Sequence, residues 1–355
     1  MIRHIGFTRS ALGTTVPALA LIATLAVLAI APAPALADPA ADYAEFCAEC
    51  HGPGRLGAQG PAMIPETLKR MRGPKMAAVI REGRPATQMA GYGDILDEAR
   101  IAALVTFLET PLAVVPDWGE AEITASRVMD ADYRAVEAPV WAADPMNITL
   151  VVETGDHHVS VLDGDTFEVL DRFATPFAVH GGPKFTPDGR YVFIMSRDGW
   201  VQKYDIWALQ QVGRVRAGIN SRNIAMSHDG KWLAVANYLP NSLTILSTDD
   251  LSVAKVIEVK GRDGTPSRVS AVYQAPPRKS FVLALKDVPE IWRCFMATTR
   301  PIRVSCMIIA SKARPIWRFR FRCGASPPPT FWTISFSTSP MNMSWGPRGP
   351  MTAVR

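Results

Sequence analysis

The chain has 355 residues, 48% of them hydrophobic and 20% charged. That is long enough for two or three domains with cores of their own, and it excludes a disordered or collagen-like chain. The formal net charge of +5 is unevenly placed: residues 291–355 hold ten Lys or Arg and no Asp or Glu, so the first 290 carry 28 basic against 33 acidic residues. The net-acidic body gives no reason to assign nucleic acid as a partner.

In chain order, the first predicted element is a secretory signal over residues 1–37. Arg3, His4 and Arg9 precede an apolar run from Ala18 to Ile30, and Ala35-x-Ala37 offers a small-residue cleavage site. The run of about thirteen residues is short of the ~20 that span a bilayer, so no stable membrane insertion is expected. The mature chain then starts near Asp38, outside the cytoplasm.

"CAECH" follows. Cys47 and Cys50 stand three apart and face one way on a helical turn, with His51 next to them. Two such thiols can add to the vinyl groups of a haem while the imidazole reaches the iron. Zinc would require a second close cysteine pair, and Cys294, Cys306 and Cys323 are singly spaced. A redox disulfide leaves His51 unexplained, so covalent haem c is the expected cofactor.

Met63, Met71, Met76 and Met89 are the candidates for a second axial ligand. Met76 lies in "PKMAAVIREG", which reads as a helix whose methionine is core. Met89 lies in a Pro- and Gly-rich loop before an amphipathic helix from about Asp97 to Leu108, with Ile101, Leu104, Val105 and Leu108 on one face. The stretch resembles class I c-type cytochromes, whose distal methionine sits in such a loop, and the resemblance selects Met89. Residues 38–112 are therefore read as an all-α cytochrome c domain and residues 113–140 as a linker.

From Val151 the periodicity changes. "VVETGDHHVSVLDGDTFEVL" from Val151, "FIMSRDGWVQKYDIWALQQV" from Phe193 and "VANYLPNSLTILSTDDLSVA" from Val235 align without gaps at steps of 42 residues. Each reads strand, turn, strand, turn, strand, with Asp-Gly turns in "TPDGRY" and "SHDGKW". A period near 40–45 residues is that of a β-propeller blade. A fourth copy begins at Lys279, shifted by 48 residues, and fades near Trp292. Residues 141–292 are thus a partial propeller. Residues 293–355, where acids vanish and no period persists, read as an unstructured or aberrant basic tail of the kind a frameshift near codon 293 would give.

A secreted cytochrome c domain followed by a propeller resembles the cytochrome cd1 family: periplasmic nitrite reductases and, closer, the dihydro-haem d1 dehydrogenase of denitrification. The resemblance rests on "TPFAVHGGPKFTPDGRYVFIMSRDGWVQKYDIWA", "NSRNIAMS" and "ANYLP" as well as the domain order. It implies an eight-bladed propeller carrying haem d1 or dihydro-haem d1, with His180 as the proximal iron ligand and Arg197, Arg222 and Tyr238 as carboxylate contacts. Residue chemistry alone leaves His180 a loop histidine and the arginines solvated turn residues. The implied role is oxidation of dihydro-haem d1, with a redox partner protein such as cytochrome cd1 nitrite reductase. The alternatives are a nitrite reductase of the cd1 type, or an electron carrier with a propeller remnant. The family's distal catalytic histidines belong to blades beyond the readable three and a half, so the catalytic residues are left unassigned.

Overall fold

The computed structural model describes residues 38–296, apart from 115, 177 and 181, and residues 304–311. The signal reading of residues 1–37 and the tail from 312 onward lie outside the described residues. Among the described residues no helix is long and apolar enough to cross a membrane.

The first domain is helical. Helix α1 (Pro39–Phe46) starts where the Asp38 side chain accepts from the Ala40 N–H at 3.0 Å and a proline takes the first turn. A short α2 (Ala48–His51) follows at once, then α3 (Pro74–Glu82) and α4 (Glu98–Glu109). Asp97 caps α4 by accepting from Arg100 N–H at 2.8 Å. The expected face is the buried one: Ile101, Leu104, Val105 and Leu108 pack with Tyr43 of α1 and Met76 and Ile80 of α3. Met76 is a core residue, as its helix implied. Arg100 grips Asp42 through two nitrogens, at 2.6 and 3.1 Å, and so fixes how α4 crosses α1.

The stretch expected as a linker is ordered instead. It contains α5 (Glu120–Ser126) and a two-residue strand β1 (Val128–Met129) that pairs with the propeller. Ile123 of α5 is fully buried and Trp118 donates its indole N–H to the Arg216 carbonyl at 2.8 Å. This burial, rather than local propensity, orders a Pro-containing segment.

Four antiparallel sheets follow. The first is β2 (Ile148–Glu153), β3 (His158–Asp163) and β4 (Val169–Ala174). The second runs β5 (Lys184–Phe185), β6 (Tyr191–Met195), β7 (Trp200–Asp205) and β8 (Gln210–Arg216), with β1 added outside β8. The third comprises β9 (Asn220–Met226), β10 (Trp232–Leu239), β11 (Ser242–Ser247) and β12 (Val253–Glu258). The fourth comprises β13 (Val269–Ala275), β14 (Ser280–Leu285), β15 (Glu290–Met296) and β16 (Val304–Ser311). The 42-residue repeat corresponds to β2–β4, β6–β8 and β10–β12, and the two Asp-Gly turns join β5 to β6 and β9 to β10.

Each sheet buries itself against the next. Val159 and Val161 pack on Val192 and Ile194, Met195 and Val201 on Ile224 and Leu233, and Ala234 and Ile245 on Val272 and Phe281. These three apolar layers make successive sheets blades of one propeller, since no blade covers both of its faces alone.

The fourth sheet runs beyond residue 292, where the sequence pattern fades. Cys294 is fully buried in β15 and forms a disulfide with Cys306 of β16, so two cysteines that seemed to lack a framework have one. Alternation in "EIWRCFM" still presents one side to the blade core, and the loss of acidic residues had hidden it.

Candidate functional site

The helical domain builds its site at the α1–α2 junction. Cys47 is partly buried and Cys50 exposed, and both are free thiols. Burial first, then the nearby Asp42 and Cys50, pushes the Cys47 thiol up to about 11. His51 is buried, and its Nδ1 lies 2.8 Å from the Pro61 carbonyl. Desolvation lowers its pKa against that hydrogen bond, so the imidazole is neutral, Nδ1–H donates to Pro61, and Nε2 keeps its lone pair. Gly60 makes room for the ring, because a Cβ there would stand 2.7 Å from His51 Cε1. Two thiols one helical turn apart and an oriented neutral imidazole fit a covalently attached haem. With Cys294 tied to Cys306, no third free thiol stands among the described residues to favour zinc.

Met89 is partly buried in the loop between α3 and α4, while Met63 and Met71 pack against the helical core. The loop is pinned at its base: Arg84 N–H donates to the Met89 carbonyl at 3.0 Å. It also reaches the propeller, since a Cβ on Gly155, in the β2–β3 turn, would stand 2.9 Å from the Ala86 carbonyl.

The two domains share a small core of Leu56, Ala62, Ile64 and Leu112 with Trp118, Ile219 and Leu239. Beside it Arg216, 5% exposed, donates to the Leu56 and Asp198 carbonyls and stacks on Trp118 at 4.8 Å.

On the propeller, His180, Arg197, Arg222 and Tyr238 do come together. His180 Nδ1 lies 2.8 Å from the Arg222 carbonyl, again leaving Nε2 open. Its pKa is lowered by burial first and by the Arg222 charge next. Partial desolvation, then Arg222 and further off Arg70 of the helical domain, draws the Arg197 guanidinium down. Arg222 stacks on the Tyr238 ring at 5.3 Å. Among the described residues neither Arg197 nor Arg222 has a carboxylate partner. Uncompensated guanidiniums beside an oriented imidazole suit a ligand with several carboxylates and a metal. By contrast, His157 and His228 sit in turns and His158 begins β3.

Arg268 was missed from the sequence. It too stacks on the Tyr238 ring, at 5.1 Å, and holds Asp287 through two nitrogens. Its signal was a recurring pair: Ser221-Arg222 begins "SRNIAM" and Ser267-Arg268 begins "SRVSAV", the first pair within β9 and the second just before β13.

Family models match both domains. Residues 143–312 match the cytochrome D1 haem domain and residues 34–108 the cbb3-type cytochrome c oxidase subunit III. The dihydro-haem d1 dehydrogenase of Pseudomonas aeruginosa is 47% identical over 291 residues, 82% of this chain and 58% of its own length. The nitrite reductase of Stutzerimonas stutzeri is 25% identical over 268 residues, 70% of this chain and 47% of its own. The solved structure of dihydro-haem d1 dehydrogenase NirN in complex with DHE superposes with a TM-score of 0.70 at 48% identity, covering 77% of this chain and 59% of that one. The chain thus spans less than two thirds of the length of these relatives. Residues 47–51 lie within the stretch that matches a cytochrome c family model, and the stretch that matches the cytochrome D1 haem domain follows it.

Proposed function

We propose, for a chain that carries the two domains of the cytochrome cd1 family, that it is a periplasmic c-type cytochrome acting in the oxidation of dihydro-haem d1 to haem d1. The observation that carries this reading is the convergence of His180 Nε2, Arg197, Arg222 and Tyr238 on one face of the propeller, next to a docked cytochrome domain.

In this reading Arg197 and Arg222 bind substrate carboxylates and His180 offers Nε2 to the substrate iron. The substrate gives up two electrons and two protons. The haem held by Cys47, Cys50 and His51 supplies a one-electron acceptor when attached, so two turns of discharge to a soluble redox partner balance each substrate molecule. A nitrite reductase maturation protein or cytochrome cd1 itself suits that partner. Met89, in the loop that approaches the propeller at Gly155, would offer its thioether to the iron of that haem. Met89→Ala is then expected to change the ligand-field spectrum and lower the potential of the haem, while Met63→Ala and Met71→Ala leave both unchanged; the reverse pattern refutes the assignment.

The test of the function is a titration. Anaerobic dihydro-haem d1 added to the oxidised full chain is expected to reduce the c haem and leave haem d1. Binding without reduction refutes the oxidation, and no binding refutes the pocket. The second reading, a one-electron carrier, is favoured by the self-contained core of residues 38–112 and predicts reduction by small donors only.

A further inference from the structure

We propose that Asn237 is a positioning residue that sets Arg197, Arg222 and Tyr238 in register for the substrate, an inference that rests on the function above. Its amide is fully buried and fully used. Oδ1 accepts from Ser221 Oγ at 2.6 Å, while Nδ2 donates towards the Ala217 carbonyl at 3.1 Å and towards Ser242 Oγ and Thr244 Oγ1, each at 3.0 Å. Every one of these contacts leads to the pocket or braces the strand behind it.

Ser221 precedes Arg222, whose carbonyl orients the His180 ring, and the Ser221 N–H donates to the Arg197 carbonyl at 2.8 Å. A second route to Arg197 runs through two glycines. A Cβ on Gly218 would stand 2.7 Å from Asn237 Oδ1, and a Cβ on Gly199 only 1.9 Å from the Gly218 carbonyl. Gly199 has φ of +92°, and its carbonyl accepts from Ala217 N–H at 2.8 Å. The turn bearing Arg197 therefore rests on Gly218, and Gly218 rests on the amide of Asn237.

The third link is Tyr238 itself. The β9–β10 ladder shifts register between Ala236 and Asn237 and again between Asn237 and Leu239, so Tyr238 is left out of the pairing. Such a bulge re-aims a side chain, and it persists only where its neighbours are fixed. Here the fixing group is the amide one residue back. One buried side chain thus braces the backbone beside three binding residues from two blades.

The experiment uses the haem c-loaded full chain and haem d1 as the probe, read by equilibrium titration, with c-haem reduction by dihydro-haem d1 as a second measurement. Asn237→Ser and Ser221→Ala are each expected to weaken haem d1 binding about tenfold and to raise KM more than they lower kcat. The double variant should lose little more than Asn237→Ser alone, because the Ser221 hydroxyl acts through the Asn237 amide. Val161→Ala, in the core between the first two blades, provides a chain destabilised away from the pocket and should bind as wild type does. The proposal is overturned if both single variants bind with unchanged affinity, if their effects simply add, or if Val161→Ala weakens binding equally. Ser221→Ala removes only a hydroxyl and keeps the test open should Asn237→Ser not fold. If the wild-type chain binds no haem d1, the function above fails; if it binds and the variants match it, this inference alone fails.

Discussion

His51 and His180 are prepared in the same way and encoded in opposite ways. In each, Nδ1 lies 2.8 Å from a backbone carbonyl, burial lowers the pKa, and Nε2 is left with its lone pair. The carbonyl that orients His51 is ten residues away, within the same loop. The one that orients His180 is 42 residues away, one full repeat along, in β9 of the next blade. If the proposed roles hold, a covalent haem site is written into five consecutive residues, whereas a site that binds its ligand reversibly is assembled from blades and inherits their stability.

That contrast can be broken most severely at the covalent site. Joint replacement of Cys47 and Cys50 by serine is expected to give a chain lighter by one haem and without c-type absorbance, while the propeller still binds haem d1. Loss of haem d1 binding in that variant would show that the two sites are not independent.

The next largest effect separates the domains by pH. Asp198, 3% exposed and with Oδ2 unpartnered among the described residues, has its pKa raised from 3.8 to about 6 by desolvation, against the Ser196 hydrogen bond and the Arg216 charge. The folded state binds this proton more tightly than the unfolded one. The associated stability is therefore complete below pH 3.8 and lost as pH rises through about 6, a change of about 3 kcal/mol at roughly 1.4 kcal/mol per pH unit. Thermal melts followed by propeller tryptophan fluorescence should show this slope in wild type and lose it in Asp198→Asn. An unchanged slope would place the titration elsewhere.

Smaller effects sharpen the account of the reversible site. His180→Ala should weaken haem d1 binding on the order of a hundredfold, about 2.7 kcal/mol, and leave the c-haem spectrum intact. Arg197→Gln and Arg222→Gln should each cost about tenfold, close to the ~1.5 kcal/mol of one charge-assisted hydrogen bond, and should reduce the salt dependence of binding. Equal affinity for a d1-type haem with esterified carboxylates would contradict the arginine roles.

How far the sequence could be read follows from the same contrast. Helix α4 declared its buried face, and the cysteine pair its place one helical turn apart beside His51, because each depends on neighbours within a turn or two. The blades were legible as a 42-residue period because the same strand pattern recurs. Helix α5 was not, since Ile123 and Trp118 are ordered by partners about 90 residues later. Asn237 gave no signal, because a buried amide is recognisable only through the four groups it meets. The end of the fourth blade was obscured by its changed composition, although Cys294 and Cys306 lie on adjacent strands.

Arg216 and the apolar residues beside it tie the helical domain to the propeller. Parting the two would break the Arg216–Leu56 hydrogen bond and expose Leu56, Ala62, Ile64 and Leu112, with Trp118, Ile219 and Leu239, to water. That contact favours a closed joint. If the proposed function holds, transfer from a substrate on the propeller to a haem on the helical domain would cross a fixed gap, first order in protein and insensitive to ionic strength, and only a later hand-over to a soluble acceptor would depend on collision.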